Sequence, residues 1–271
     1  MESAEIVTTI AAMRAHVAAW RRDGARVGLV PTMGALHDGH LSLVEESRKR
    51  AGPTIVSIFV NPAQFAPHED FDRYPRALDA DAARLGRAAD LIFAPPVAEM
   101  YPPGFATRID VGGPSAGLET DFRPHFFSGV ATVVAKLLIA ALPDVAVFGE
   151  KDYQQLLVIR RLNADLALPV EIVGAPILRE ADGLAMSSRN AYLKPHERAV
   201  AGRMNVVLKT ATSESQATQE LLDAGFDSVD YVAIRDATTL GPVGEGPRRI
   251  LAAAKIGGTR LIDNMGFELK N

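Results

Sequence analysis

Between residues 27 and 174 the chain alternates short, β-branched apolar runs with longer stretches that mix polar and apolar residues. Val27-Gly-Leu-Val30, ended by Pro31, and Thr54-Ile-Val-Ser-Ile-Phe-Val60, ended by Asn61-Pro62, read as buried strands. Asp90-Leu-Ile-Phe-Ala94, Asp144 to Phe148 and Val170-Glu-Ile-Val-Gly174 repeat the pattern. Between them, Leu41, Val44 and Ser47 recur at helical spacing, 71–88 is charged and alanine-rich, 128–141 is apolar and 151–166 has a mixed face, so each is predicted to be helical. Such alternation has few solutions: βαβ units building a parallel sheet. These sheets bind ligands beyond the carboxyl ends of their strands. Three polar segments follow strands in this way, His37–His40, Asn61–Phe65 and Gly149–Asp152, and are expected to converge on one edge.

The pattern changes near residue 178. The stretch 97–123 is a Gly- and Pro-rich loop, and Arg179 to Arg189 is polar and turn-like. Pro195 to Leu208 predicts one helix and Thr210 to Gln219 a mobile hinge loop. Asp230 to Ile234, Arg248 to Lys255 and Thr259 to Asn264 read as short strands. The expected organisation is an α/β parallel-sheet domain over 1–178 and a smaller α+β domain over 179–271.

Composition narrows the function. A net charge of −4 argues against a broad nucleic-acid surface. No cysteine occurs, which excludes disulfides, thiolate metal sites and a cysteine nucleophile. The first residues are acidic and no apolar run approaches the ~18–20 residues of a membrane span, so a cytoplasmic protein with no membrane partner is expected. No P-loop, no G-x-G-x-x-G after the first strand and no G-x-S-x-G elbow is present. His16, His68 and His196 sit in ordinary polar contexts and receive no role.

Four clusters can carry chemistry. In Pro31-Thr-Met-Gly-Ala-Leu-His-Asp-Gly-His40, His37 and His40 sit at a strand-to-helix turn, where Gly39 admits a nucleotide and the helix N-terminus favours anions. Read alone, the motif is equally two surface histidines in a turn; a zinc site lacks a third ligand nearby. In Phe59-Val-Asn-Pro-Ala-Gln-Phe65, Asn61 and Gln64 offer amides to a small hydroxy acid, but alone the segment is better read as an Asn-Pro turn. In Phe148-Gly-Glu-Lys-Asp-Tyr-Gln-Gln155, Lys151 suits a phosphate, Asp152 a ribose hydroxyl, and Gln155 shares the helix face of Lys151; a solvated helix start is the plain alternative. Met186-Ser-Ser-Arg-Asn190 suits a triphosphate, although in isolation a polar loop is the better reading.

Together these clusters, with Arg73-Tyr-Pro-Arg76 and Asp182-Gly-Leu-Ala-Met-Ser-Ser-Arg-Asn190, closely resemble the pantothenate synthetase, or pantoate–β-alanine ligase, family. The matches keep the family's order over most of the first 195 residues; the last third resembles it more weakly. The resemblance implies a Rossmann-like nucleotidyltransferase domain, a small C-terminal lid and a homodimer. It implies ATP with Mg²⁺, pantoate and β-alanine as small-molecule substrates, and a pantoyl adenylate intermediate. Catalysis is implied for His40 (as general acid), His37, Lys151, Ser187, Ser188 and Arg189. ATP binding is implied for Met33, Gly34, Ala35, Leu36, His37, Asp38, Gly39, His40, Gly149, Glu150, Lys151, Asp152, Leu178, Met186, Ser187, Ser188 and Arg189. Gln64 would hold pantoate and β-alanine, and Gln155 and Asn61 the acid. No side-chain metal ligand is assigned.

One stretch departs from the family, which usually reads Arg-Pro-Gly-His-Phe where this chain has Arg123-Pro-His-Phe-Phe127. His125 falls one place early and Phe126 takes the family's histidine position, so neither is assigned to the site. Two other functions compete: a nucleotidyltransferase acting on a phosphorylated acceptor, which leaves Asn61 and Gln64 unexplained, and a non-catalytic nucleotide sensor, which needs no acid pocket.

Overall fold

In a strand, successive side chains point to opposite faces, so an unbroken apolar run needs cover on both sides. The computed structural model describes residues 4–66 and 71–268. Expectations that touch residues 1–3 or His68 lie outside them. The described chain runs β1 (Glu5–Val7), α1 (Ile10–Arg22), β2 (Gly28–Thr32), α2 (Asp38–Arg50), β3 (Thr54–Ile58), α3 (Leu78–Leu85), β4 (Leu91–Phe93), α4 (Val97–Met100), α5 (Glu119–Phe122), α6 (Phe126–Ala141), β5 (Val145–Gly149), α7 (Tyr153–Asp165) and β6 (Glu171–Ala175). It continues with α8 (Pro195–Ala201), α9 (Arg203–Thr210), α10 (Glu214–Asp223), β7 (Ser228–Asp236), β8 (Arg248–Ile256) and β9 (Thr259–Phe267).

Strands β1 to β6 form one parallel sheet in the order β1-β4-β3-β2-β5-β6. Leu29, Ile55, Leu91, Phe93, Ala146 and Phe148 face one core with residues of α1, α6 and α7. Val30, Val56, Ile92, Val145 and Val147 face the other, beneath α2 and α3. The order reverses between β2 and β5, because β3 and β4 lie on one side of β2 and β5 and β6 on the other. A cleft opens at such a switch point. The H-x-G-H turn follows β2, and Gly149–Asp152 begins at the end of β5.

The antiparallel sheet β7-β8-β9 packs with α8, α9 and α10 around Met204, Leu208, Leu221, Ile250, Ala252 and Leu261. The expected Rossmann-like sheet with a smaller α+β unit is therefore the fold. Among the described residues no helix is long and apolar enough to cross a membrane.

Several local expectations are corrected. The helix predicted over 71–88 is only α3, since Pro75 resists a helix and Tyr74 is drawn to the site. The predicted hinge loop 210–219 contains the start of α10: the Ser213 side chain accepts from Gln216 N, and Ala217 and Leu221 bury one face. The helix predicted over 195–208 is two, α8 and α9, meeting at Gly202. Strand β2 runs through Pro31 to Thr32; its recorded register with β5 stops at Leu29, so the missing N–H falls where the strands diverge. The loop 97–123 holds the short helices α4 and α5, and β1 and α1 were not anticipated.

Candidate active site

The turn between β2 and α2 carries both histidines. His37 is the N-cap of α2, with extended backbone, and Arg48, Lys49 and Arg50 complement the far end of the helix dipole. The rings of His37 and His40 lie 4.0 Å apart between centroids. His37 N donates to Nδ1 of His40 at 3.3 Å. That bond leaves the proton of a neutral His40 ring on Nε2. A Cβ on Gly39 would stand 2.9 Å from the His37 ring, so the motif's glycine makes room for the histidine. Burial, then the charges of Lys151 and Arg84, brings His37 down to about 4, against a smaller opposing pull from Asp38 and Asp152. Burial, then His37, Lys151 and Arg84, brings His40 down to about 3. At neutral pH the site therefore presents two neutral rings that donate hydrogen bonds rather than two cations.

Lys151 stands in a 3₁₀ turn, Glu150–Asp152, its Nζ 3.8 Å from Asp152 Oδ2. The Met186–Arg189 loop reaches the same place from the other side: Met186 Cβ is 3.6 Å from the position a Gly39 Cβ would take. Ser187 Oγ accepts from Arg189 N at 3.3 Å, Ser188 Oγ and Tyr74 Oη share a hydrogen bond of 3.2 Å, and the Arg189 guanidinium lies 5.8 Å above the Tyr74 ring. Asn190 Nδ2 donates to Glu180 Oε1 and to the carbonyl of Ala185, which fixes the loop's base.

The amide wall follows β3. Asn61 is 1% exposed, and its hydrogen-bonding capacity is spent internally. Its Oδ1 accepts from Ala63 N and Tyr101 Oη, and its Nδ2 donates to Gln64 Oε1 and the carbonyl of Gly129. Asn61 thus orients Gln64, whose Nε2 also donates to Met33 Sδ at 2.9 Å, tying the amide wall to the histidine turn. Beside it the Arg123 guanidinium lies 3.8 Å over the Phe126 ring and donates to the carbonyl of Gln64. His125 is exposed at the N-cap of α6, while Phe126 faces the cleft.

These groups line one cavity of about 740 Å³ between the two sheets. Met33, His37, Gly39, His40, Asn61, Gln64, Gly149, Lys151, Asp152, Gln155, Leu178, Met186, Ser187, Ser188 and Arg189 all reach it. Gly34, Ala35, Leu36, Asp38 and Glu150 do not. The amides of Ala35 and Leu36 are turned to Asp81, Asp38 pairs with Arg84 and Glu150 with Arg249. The antiparallel sheet closes the cavity's far side. Asn264, on β9, donates from Nδ2 to the carbonyls of Glu150 (3.0 Å) and Lys151 (2.8 Å), and Arg249 stacks 3.6 Å from the Tyr153 ring. Arg260 pairs with Glu119 and Asp230 at 2.8 and 2.7 Å, and Tyr231 donates to Glu119, tying α5 to the small sheet. Sequence reasoning missed Tyr74, Asp81, Arg123, Arg249 and Asn264. Tyr74 and Arg123 had a signal, the Arg-Tyr-Pro-Arg match and the Arg-Pro that opens the departing stretch.

A parallel sheet with imidazole, ammonium, hydroxyl and guanidinium groups around its switch point, and amides beside them, defines a Rossmann-like enzyme. The chain belongs to the pantoate–β-alanine ligase family, whose model matches residues 5–266. It is 60% identical over 278 residues to the pantothenate synthetase of Mesorhizobium japonicum, covering 98% of each chain. It is 57% identical over 277 residues to that of Paramagnetospirillum magneticum, covering 97% of this chain and 98% of the other. The crystal structure of the Thermus thermophilus pantothenate synthetase superposes with a TM-score of 0.89 at 46% identity, over 96% of this chain and 98% of that one. That of the Francisella tularensis pantoate–β-alanine ligase, complexed with β,γ-ATP and β-alanine, gives 0.86 at 33% identity over 97% and 98%.

Proposed function

We propose that the chain condenses pantoate with β-alanine to pantothenate at the expense of ATP, through a pantoyl adenylate. In the first step a pantoate carboxylate oxygen attacks the α-phosphorus of ATP. The new O–P bond replaces the bond to the bridging oxygen of the β-phosphate, and pyrophosphate leaves. In the second, the amine nitrogen of β-alanine attacks the acyl carbon, the C–O bond to AMP breaks, and the nitrogen loses a proton. The observation that carries the reading is that phosphate-type groups and the Gln64–Gln155 amides share one cavity at the switch point. The Francisella tularensis complex with an ATP species and β-alanine supports it.

Adenylation is mostly positioning and charge stabilisation. His40 Nε2–H donates to phosphate oxygen as negative charge builds on the leaving group, with His37 beside it. Lys151, Ser187, Ser188 and Arg189 hold the polyphosphate. Gln64 and Gln155 orient the acids, and Asn61 sets the Gln64 amide. Mg²⁺ brought with ATP would offset polyphosphate charge beside Lys151 and Arg189, and no side chain is assigned to hold it. In this reading the two units meet at 178/179, just before the Arg179–Ala185 bridge, and the active species is a cytoplasmic homodimer.

An AMP-release assay tests the reaction. Release that requires both pantoate and β-alanine is expected, as is pantoate-dependent exchange of labelled pyrophosphate into ATP. Release indifferent to both acids would overturn the assignment in favour of another nucleotidyltransferase, and ATP binding with no exchange in favour of a sensor.

A further inference from the structure

The turn that delivers His37 has an unusual backbone. Gly34 (φ +88°) and Ala35 (φ +51°) both lie in the left-handed region, which a residue with a Cβ rarely occupies. In this turn the successive N–H groups of Ala35 and Leu36 converge on one point, the kind of concavity that binds an anion. Here the anion is the protein's own. The Asp81 carboxylate, 4% exposed on α3, accepts from Ala35 N through Oδ2 at 3.0 Å and from Leu36 N through Oδ1 at 2.7 Å. A Cβ on Gly34 would come within 2.9 Å of Asp81 Oδ2, so the carboxylate is seated against the turn with no space between. One helical turn further, Arg84 donates to Asp38 Oδ1 at 2.6 Å, at the first residue of α2. Helix α3 therefore grips the turn on both sides of His37.

We propose that Asp81 is a positioning residue for adenylation. Its carboxylate fills the concavity of the Ala35 and Leu36 amides, on the side of the turn away from the cavity, and holds the left-handed turn in the one shape that presents His37 and His40 to the phosphates. Asp81 touches no substrate and acts through the turn. The idea rests on reading this turn as the adenylation site.

The test compares the two half-reactions in Asp81→Asn, which replaces one acceptor oxygen by an N–H facing an N–H. Leu85→Val is the control: Leu85 is buried on the same helix, and its loss of packing weakens α3 while leaving the Asp81 carboxylate and its two acceptor oxygens in place. Wild-type protein must first show pantoate-dependent pyrophosphate–ATP exchange; if it does not, the proposed reaction fails, not this inference. Given that activity, Asp81→Asn is expected to lose about 10²-fold in kcat for exchange, as a misplaced catalytic group does. The KM for pantoate should be near wild type, as should the rate at which supplied pantoyl adenylate reacts with β-alanine. Amide exchange in the peptide spanning Ala35 and Leu36 should quicken in Asp81→Asn and not in Leu85→Val. Equal loss of both half-reactions, or a loss that Leu85→Val reproduces at matched melting temperature, would reduce Asp81 to a structural residue. Unchanged exchange in a folded Asp81→Asn would overturn the proposal outright.

Discussion

At the scale of single residues, the histidines behave as neutral donors because burial and neighbouring cations outweigh the nearby carboxylates. This has a pH signature. The folded values, about 4 and about 3, lie below the ~6.5 of an unfolded histidine, so between those limits the unfolded chain binds more protons. Stability is then undiminished by these groups above about pH 6.5 and falls as pH drops toward 4. Melting curves from pH 7 to 4 should show a steeper decline for wild type than for a His37→Gln, His40→Gln double variant. His40→Ala should keep its fold and lose about 10²–10³-fold in pyrophosphate–ATP exchange, the effect of removing one donor that acts in the transition state. Near-wild-type exchange by a folded His40→Ala would remove it from the mechanism. The residue at 126 shows the limit of reading motifs by position. A histidine one place early does not slide into the gap, because His125 is the exposed N-cap of α6 and Phe126 already fills the wall against Arg123.

At the scale of elements, α10 shows why the stretch 210–219 was misread. Its polar residues suit a loop, yet Ser213 caps the helix and Thr212 pairs with Gln216 on both N and Oγ1, so the polarity is that of a helix start. Ser213→Ala should lower stability by about 1 kcal/mol, read as a drop in melting temperature with exchange activity retained. The central strands and α2 were legible because their periodicity is local: Leu29, Val30, Ile55 and Val56 alternate faces, and Leu43, Val44 and Ser47 form one buried stripe. Strand β1 was not, being three residues long with two of them exposed, and α1 buries only Met13 and Val17 in an alanine–arginine background. In the candidate site, residues that follow strands could be picked out from the chain. Asp81 and Asn264 could not, because each acts on a segment 45 or more positions away and carries no local mark.

At the scale of the molecule, the two sheets are joined through the site itself. Asn264 closes two backbone carbonyls of the Lys151 turn and accepts from Arg249 Nε at 2.6 Å, while Arg179 pairs with the neighbouring Asp263 at 2.7 Å. Asn264→Leu strands two carbonyls and a guanidinium N–H. It should cost about 1–3 kcal/mol in stability and weaken ATP binding measured by calorimetry, whereas a loss of stability with unchanged ATP affinity would show that the turn holds its shape unaided. The grip is on the peptide of Lys151 and not on its side chain, so any rocking of the antiparallel sheet tugs directly on the segment that carries the cation. In the proposed reaction, sheet tilt and hold on the triphosphate are then one mechanical coordinate. A nucleotide seated between the histidines should therefore slow amide exchange at the distant tips of β8 and β9 as well as beside itself.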